Sequence, residues 1–169
     1  MSEYTKPNMV CARILQIKMN LTQQMDSGAN KNITNDAKII RNFTSITSTP
    51  VFGIGDETIV CHITGRGITT LSTIDGSTLD IIMYYAPKCS GTIISPNAIV
   101  RDNDALTSWM QTSHLDIGQA EISFYHRHDF TTNKTILMYM DNGLMVSTPT
   151  ISKNGTSSKP YTTMHTKRF

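Results

Sequence analysis

Charge is scarce in this 169-residue chain: 17% of its residues are Asp, Glu, Lys or Arg, and they nearly cancel to +2. Electrostatic recognition of nucleic acid needs a clustered basic face, so this balance argues against a nucleic-acid partner. Lys167-Arg168 reads as a solvated basic end. Long apolar runs are also missing: none approaches the ~18 residues of a membrane span, and no membrane partner is expected. Met1–Lys6 lacks the apolar core of a signal peptide. Cys11, Cys61 and Cys89 are widely spaced and odd in number, which does not make a disulfide framework. Reduced thiols in an intracellular setting fit better. Runs of the best helix formers are absent, whereas Thr, Ile and Val abound. The fold class that follows is mostly β, one domain with an ordinary core plus a tail.

Residues 1–12 read as a leader. In Arg13–Met19, Leu15, Ile17 and Met19 face one way and Gln16 and Lys18 the other, the pattern of a half-buried strand. Asn20-Leu21 can turn the chain, and Thr22–Met25 returns as a second strand. A short helical segment is expected around Asp36–Arg41, then strand at Phe43–Thr47. Pro50–Glu57 enters a Gly-bearing hairpin that Thr58–Ile63 leaves. Gly65-Arg66-Gly67 reads as punctuation before a strand at Ile68–Ile74. Asp75-Gly76 is a hairpin signal, and Leu79–Tyr85 returns as an interior strand ended by Pro87. Thr92–Ile94 is a short apolar strand before a helix, with Ser95 as N-cap and Pro96 at the first helical position. Strands are expected at Glu121–Arg127 and Thr135–Tyr139 with a turn at Thr131–Asn133, and a helix near Trp109-Met110. Residues 150–169 read as a flexible tail. Asn-x-Thr triplets at Asn20, Asn32, Asn42, Asn133 and Asn154 read as chance occurrences in a Thr- and Asn-rich chain.

Met25-Asp26-Ser27-Gly28-Ala29 carries the most chemistry. A peptide bond can be hydrolysed without metal or covalent intermediate when two carboxyls sharing one proton hold a water between them. One carboxylate takes the water's proton while the other acid polarises the scissile carbonyl. The turn that presents each carboxyl needs small residues, which Ser27, Gly28 and Ala29 supply, and Gly28 lets the backbone approach a substrate. A plain β-turn is the alternative for Asp-Ser-Gly taken alone.

Ile14–Asn30, ending in Asp26-Ser27-Gly28, resembles the first hairpin and catalytic loop of the retropepsins, the dimeric aspartic proteases of retroviruses and LTR retrotransposons. Gly53-Ile54-Gly55 falls where that family has its substrate-covering flap. Thr92–Ile99 is similar to the apolar strand and helix that close each subunit. The likeness is nearest to copia-type elements, through Thr64-Gly65-Arg66-Gly67-Ile68, Tyr85-Ala86-Pro87 and the Ile94-Ser95 helix start. It continues through Ile122-Ser123-Phe124 to Asn142-Gly143-Leu144, which looks like the segment between protease and integrase. Gln23 and Gln24 depart from the family's apolar residues, Ser95 from a glycine, and the flap has no double glycine.

The resemblance implies a retropepsin-like closed β-barrel with one short C-terminal helix, working as an obligate two-fold dimer. It implies a protease domain at residues 13–101, an additional β-rich segment at 102–149, and a location in the cytoplasm or within virus-like particles. Asp26 would be catalytic, with Ser27, Gly28 and Ala29 forming the active-site loop. Val51, Phe52, Gly53, Ile54, Gly55 and Asp56 would form the flap, and Ile93, Ile94 and Ser95 the closing motif. The substrate would be an extended peptide of the element's own polyprotein, with no cofactor and no metal. The competing reading is the same fold without catalysis, used for dimerisation or peptide binding.

Other constellations fit structural roles better. Asp141-Asn142-Gly143 lacks the hydroxyl of a second active-site turn and reads as a hairpin turn. His126, His128 and Asp129 lack further ligands for a metal site. Cys89-Ser90-Gly91 has no identifiable His partner, and Trp109 reads as core packing.

Overall fold

The computed structural model describes residues 23–53, 58–141 and 144–147. The expected leader, the strand at Arg13–Met19, its turn at Asn20-Leu21 and the 150–169 tail lie outside them. The described residues are mostly strand. In chain order these are β1 (Gln23–Met25), β2 (Ile33–Thr34), β3 (Arg41–Phe52), β4 (Ile59–Ser72), β5 (Thr78–Tyr85) and β6 (Thr92–Ile94). A short helix, α1 (Pro96–Arg101), follows, then β7 (Leu106–His114), β8 (Gln119–His126), β9 (Asn133–Asp141) and β10 (Leu144–Ser147).

Alternation along the strands builds the core. Leu79, Ile81 and Met83 of β5 and Ala120, Ile122 and Phe124 of β8 are buried, each pointing to one face of its strand. They join Met25, Leu71, Ile94, Ile99, Leu106, Ile136 and Met138 in one cluster. A second cluster joins Ala29, Ile33, Val51, Cys61, Ile63, Ala86, Cys89 and Ile93. Residues 106–147, assigned to an additional segment on sequence, thus supply four strands to the same sheet and a large share of its main core.

The ten strands form a single sheet in the order β3-β4-β5-β2-β6-β1-β10-β9-β8-β7. The expected closed barrel is not what the described residues make: the sheet is open, with β3 and β7 at its edges. It coils until the β4–β5 turn meets β9, where Ile74 N–H donates to the Thr135 carbonyl at 2.9 Å and Lys134 Nζ donates to Ser77 Oγ at 2.5 Å. The centre of the sheet combines both strand directions. β1 runs parallel to β6 and antiparallel to β10, and β2 runs parallel to β5.

Two expectations are corrected. Gly65 and Gly67 do not break the chain, because β4 runs through both. A Cβ on Gly67 would stand 2.4 Å from the Arg41 carbonyl oxygen, and one on Gly65 would stand 2.3 Å from the Phe43 ring. The glycines make room for the irregular stretch of β3 beside them, where the register with β4 shifts between Arg41 and Thr44. Trp109-Met110 is not helical but lies within β7, paired through Trp109↔Phe124 and Met110↔Ser123. β7 is an edge strand with Leu106 as its buried residue, so it lacks the apolar alternation that marks a strand in sequence. The helical segment around Asp36–Arg41 is a single 3-10 turn at Ala37–Ile39, capped by Asp36.

The Asp75-Gly76 turn forms as expected, with Gly76 at φ 79°. The Asp75 carboxylate accepts from the Thr73 hydroxyl, from Ser77 N–H at 3.0 Å and from Ser77 Oγ at 2.7 Å. These bonds favour the charged form and push the carboxyl down to about 2 from an ordinary 3.8, with Lys134 adding to them. A carboxyl depressed on folding stabilises the fold fully above its unfolded value and loses that contribution as pH falls toward the folded one. Its titration by NMR is expected near pH 2. In Asp75→Asn the acid limb of stability should flatten between about pH 4 and pH 2; an Asp75 midpoint near 4 would overturn this account of the turn.

Candidate active site

Asp26 follows β1 directly. Its N–H donates to the Ile94 carbonyl at 2.9 Å, extending the parallel pairing of β1 with β6 by one bond. The chain then turns tightly. Ala29 N–H donates to the Asp26 carbonyl at 3.3 Å, and Gly28 N–H donates to Asp26 Oδ1 at 2.8 Å. The turn therefore orients its own carboxylate. A Cβ on Gly28 would stand 3.2 Å from Asp26 Oδ1, so a larger residue would press on the carboxylate from below. Ser27 and Gly28 are exposed, Asp26 is half-buried, and Ala29 is sealed in the second core cluster.

The closing motif holds this turn from beneath. Ile93 and Ile94 are buried, one in each core cluster, and Ser95 is fully enclosed. Ser95 Oγ donates to the Ala29 carbonyl at 2.5 Å and accepts from Ala98 N–H at 3.1 Å, so one hydroxyl caps α1 and anchors the turn. Ser95 N–H donates to Asn32 Oδ1 at 2.8 Å. From the helix, Asn97 Nδ2 donates to the Ser27 carbonyl at 2.7 Å, and Arg101 Nη1 donates to the Asn30 carbonyl at 2.8 Å. The Arg101 guanidinium also pairs with Asp102 at 2.6 Å, which holds it charged. Three carbonyls of this segment, those of Ser27, Ala29 and Asn30, are thus gripped by side chains of α1 and its cap.

The expected flap residues occupy the end of the β3–β4 hairpin. Val51 is fully buried in the second core cluster, at the stem of the hairpin. Phe52 is half-buried, and Gly53 N–H donates to the Thr58 carbonyl at 2.9 Å, closing the stem. Ile54, Gly55 and Asp56 lie outside the described residues.

Among the described residues no group of three or more His, Cys, Asp or Glu side chains is placed to hold a metal ion. Asp129 is engaged locally, accepting from Thr131 N–H at 3.0 Å, Thr131 Oγ1 at 2.6 Å and the Thr132 hydroxyl, which push its carboxyl down to about 2. Asp141 ends β9 opposite Leu144 of β10, the geometry of a hairpin.

Sequence reasoning missed four contributors: Asn32, Asn97, Arg101 and Trp109. The indole Nε1 of Trp109 donates to Asn97 Oδ1 at 2.8 Å, a partner that a half-buried indole N–H requires and that spacing along the chain does not reveal. It also missed that Cys61 and Cys89, both buried, meet through a thiol hydrogen bond. That bond, with N–H groups of Ser90 and Gly91, draws the Cys89 thiol below the ordinary range. Comparison with protein families, with curated proteins and with solved structures finds no match to this chain.

Proposed function

We propose that the chain is an aspartic endopeptidase of the retropepsin type, from a copia-like polyprotein, that acts as a two-fold homodimer. The observation that carries the reading is the Asp26 turn. A half-buried carboxylate is oriented by its own turn's N–H, on a peptide gripped from below by Ser95, Asn97 and Arg101. An ordinary surface β-turn has no need of that support.

Among the described residues one carboxyl is held in such a turn, so a second copy would complete the site. The two Asp26 carboxyls would hold the lytic water, one accepting its proton as the other, protonated, donates toward the scissile carbonyl. The exposed Ser27 and Gly28 are the groups available to meet the partner loop and the substrate. An extended peptide would lie beneath the β3–β4 hairpin in β fashion, with the element's own polyprotein as substrate. The protease unit of residues 13–101 and the segment of 102–149 would act together, since both contribute to the core behind the turn.

The test joins mass to activity. Light scattering is expected to give twice the mass of one chain, and incubation at mildly acidic pH with casein or a polyprotein fragment to give pepstatin-sensitive cleavage. A strict monomer that cleaves at no pH would leave the fold as a non-catalytic binding module.

A further inference from the structure

We propose that Trp109, through Asn97, is a positioning residue for the Asp26 turn, so that the strand after α1 belongs to the catalytic unit; this rests on the protease reading. The chain of bonds is short. Trp109 Nε1 donates to Asn97 Oδ1 at 2.8 Å, and Asn97 Nδ2 donates to the Ser27 carbonyl at 2.7 Å. An amide has one acceptor oxygen and one donor nitrogen, so filling the oxygen from Trp109 fixes which way the amide faces and aims its N–H₂ at Ser27. Without the indole, the Asn97 side chain is free to rotate on the exposed surface of α1.

Trp109 is itself held at both ends. Its ring packs against the main core beside its cross-strand partner Phe124, which is fully buried. Its backbone is fixed in β7 by the ladder to β8. A second link runs from the same part of the chain to the same turn. β10 pairs with β1 through Gln23↔Ser147 and Gln24↔Val146, next to Asp26. Side chain and ladder therefore reach the Asp26 segment independently from residues beyond 102.

Trp109→Phe keeps a ring and deletes the donor. It is expected to lower kcat about three- to tenfold, the kinetic equivalent of one hydrogen bond, with KM changed less than about twofold. Hydrogen exchange at the Ala29 amide, which bonds to the Asp26 carbonyl, should rise by a similar factor while Ile122 in the core stays unchanged. Asn97→Asp keeps the acceptor for the indole but removes the donor to Ser27, so adding Trp109→Phe to it should cost nothing further. Where Trp109→Phe does not fold, Asn97→Leu carries the same exchange readout and should also shift the emission of Trp109, the chain's one tryptophan.

An unchanged kcat together with unchanged Ala29 exchange overturns the proposal. So does a Trp109→Phe effect that persists in full beside Asn97→Asp, or exchange that rises equally throughout the core. A wild-type chain that cleaves nothing, with the selective rise at Ala29 still seen in Trp109→Phe, supports the positioning role while the protease reading falls.

Discussion

Asp26→Asn is expected to dimerise normally, melt normally and lose at least about a thousandfold of its cleavage activity, within the range that a positioned acid or base contributes. The substitution keeps size and shape, and the Asn oxygen can still accept from Gly28 N–H, as Asp26 Oδ1 does at 2.8 Å. What it removes is the ability to take or give a proton. If the proposed site takes one carboxyl from each of two chains, an equal mixture of exchanging wild-type and variant chains should retain about a quarter of the activity, the share of dimers with two intact chains. Retention of about half would mean that each chain works alone, and the shared site would be lost as an explanation. Unchanged, pepstatin-insensitive cleavage by Asp26→Asn would remove the protease assignment altogether.

The largest effect on stability is expected at Asn32, which is 1% exposed. Its Oδ1 accepts from Ser95 N–H at 2.8 Å, and its Nδ2 donates to the Ile82 carbonyl at 2.9 Å. Asn32→Ala leaves both backbone groups without that partner, at about 1–3 kcal/mol for each. A loss of about 2–5 kcal/mol in urea unfolding follows, a large part of the total stability of an ordinary domain. Asn32→Asp keeps an acceptor for Ser95 N–H but sets a buried carboxyl against the Ile82 carbonyl oxygen, so at neutral pH it should lose at least as much. A midpoint unmoved by Asn32→Ala would show that Asn32 does not tie the turn after Asp26 to the closing motif and to β5.

Asn32 also illustrates where sequence reasoning stops. On sequence it was one of five Asn-x-Thr triplets; in the fold it ties three segments that lie far apart in the chain. The elements that could be read beforehand are those whose cause is local. The Asp75-Gly76 turn depends on a side chain bonding its own neighbours, and the start of α1 on Ser95 capping residues just after it. The buried alternation of β5 and β8 was legible for the same reason, since each strand carries its pattern within itself. β7 was not, because an exposed edge strand has no apolar face to display. Gly65 and Gly67 misled because the cause of their smallness, the irregular stretch of chain at residues 40–43 packed against them, sits more than twenty residues away in the sequence. Of the site, Asp26, Gly28 and Ser95 could be named from residue type, whereas Asn97, Arg101 and Trp109 act on it only through tertiary contact.

The pairing of β1 sets a timetable for the molecule. Gln23 pairs with Thr92 on one side and with Ser147 on the other, so the strand that leads into Asp26 precedes both of its neighbours in the chain. Pairings across such long stretches of chain form slowly, because loop closure must come before any contact rewards it. A growing polypeptide emerges from its N-terminal end, and β1 cannot gain its second neighbour until Ser147 has been synthesised. The strand order alone thus leaves β1, next to the Asp26 turn, without its second neighbour until the chain as far as Ser147 has been made.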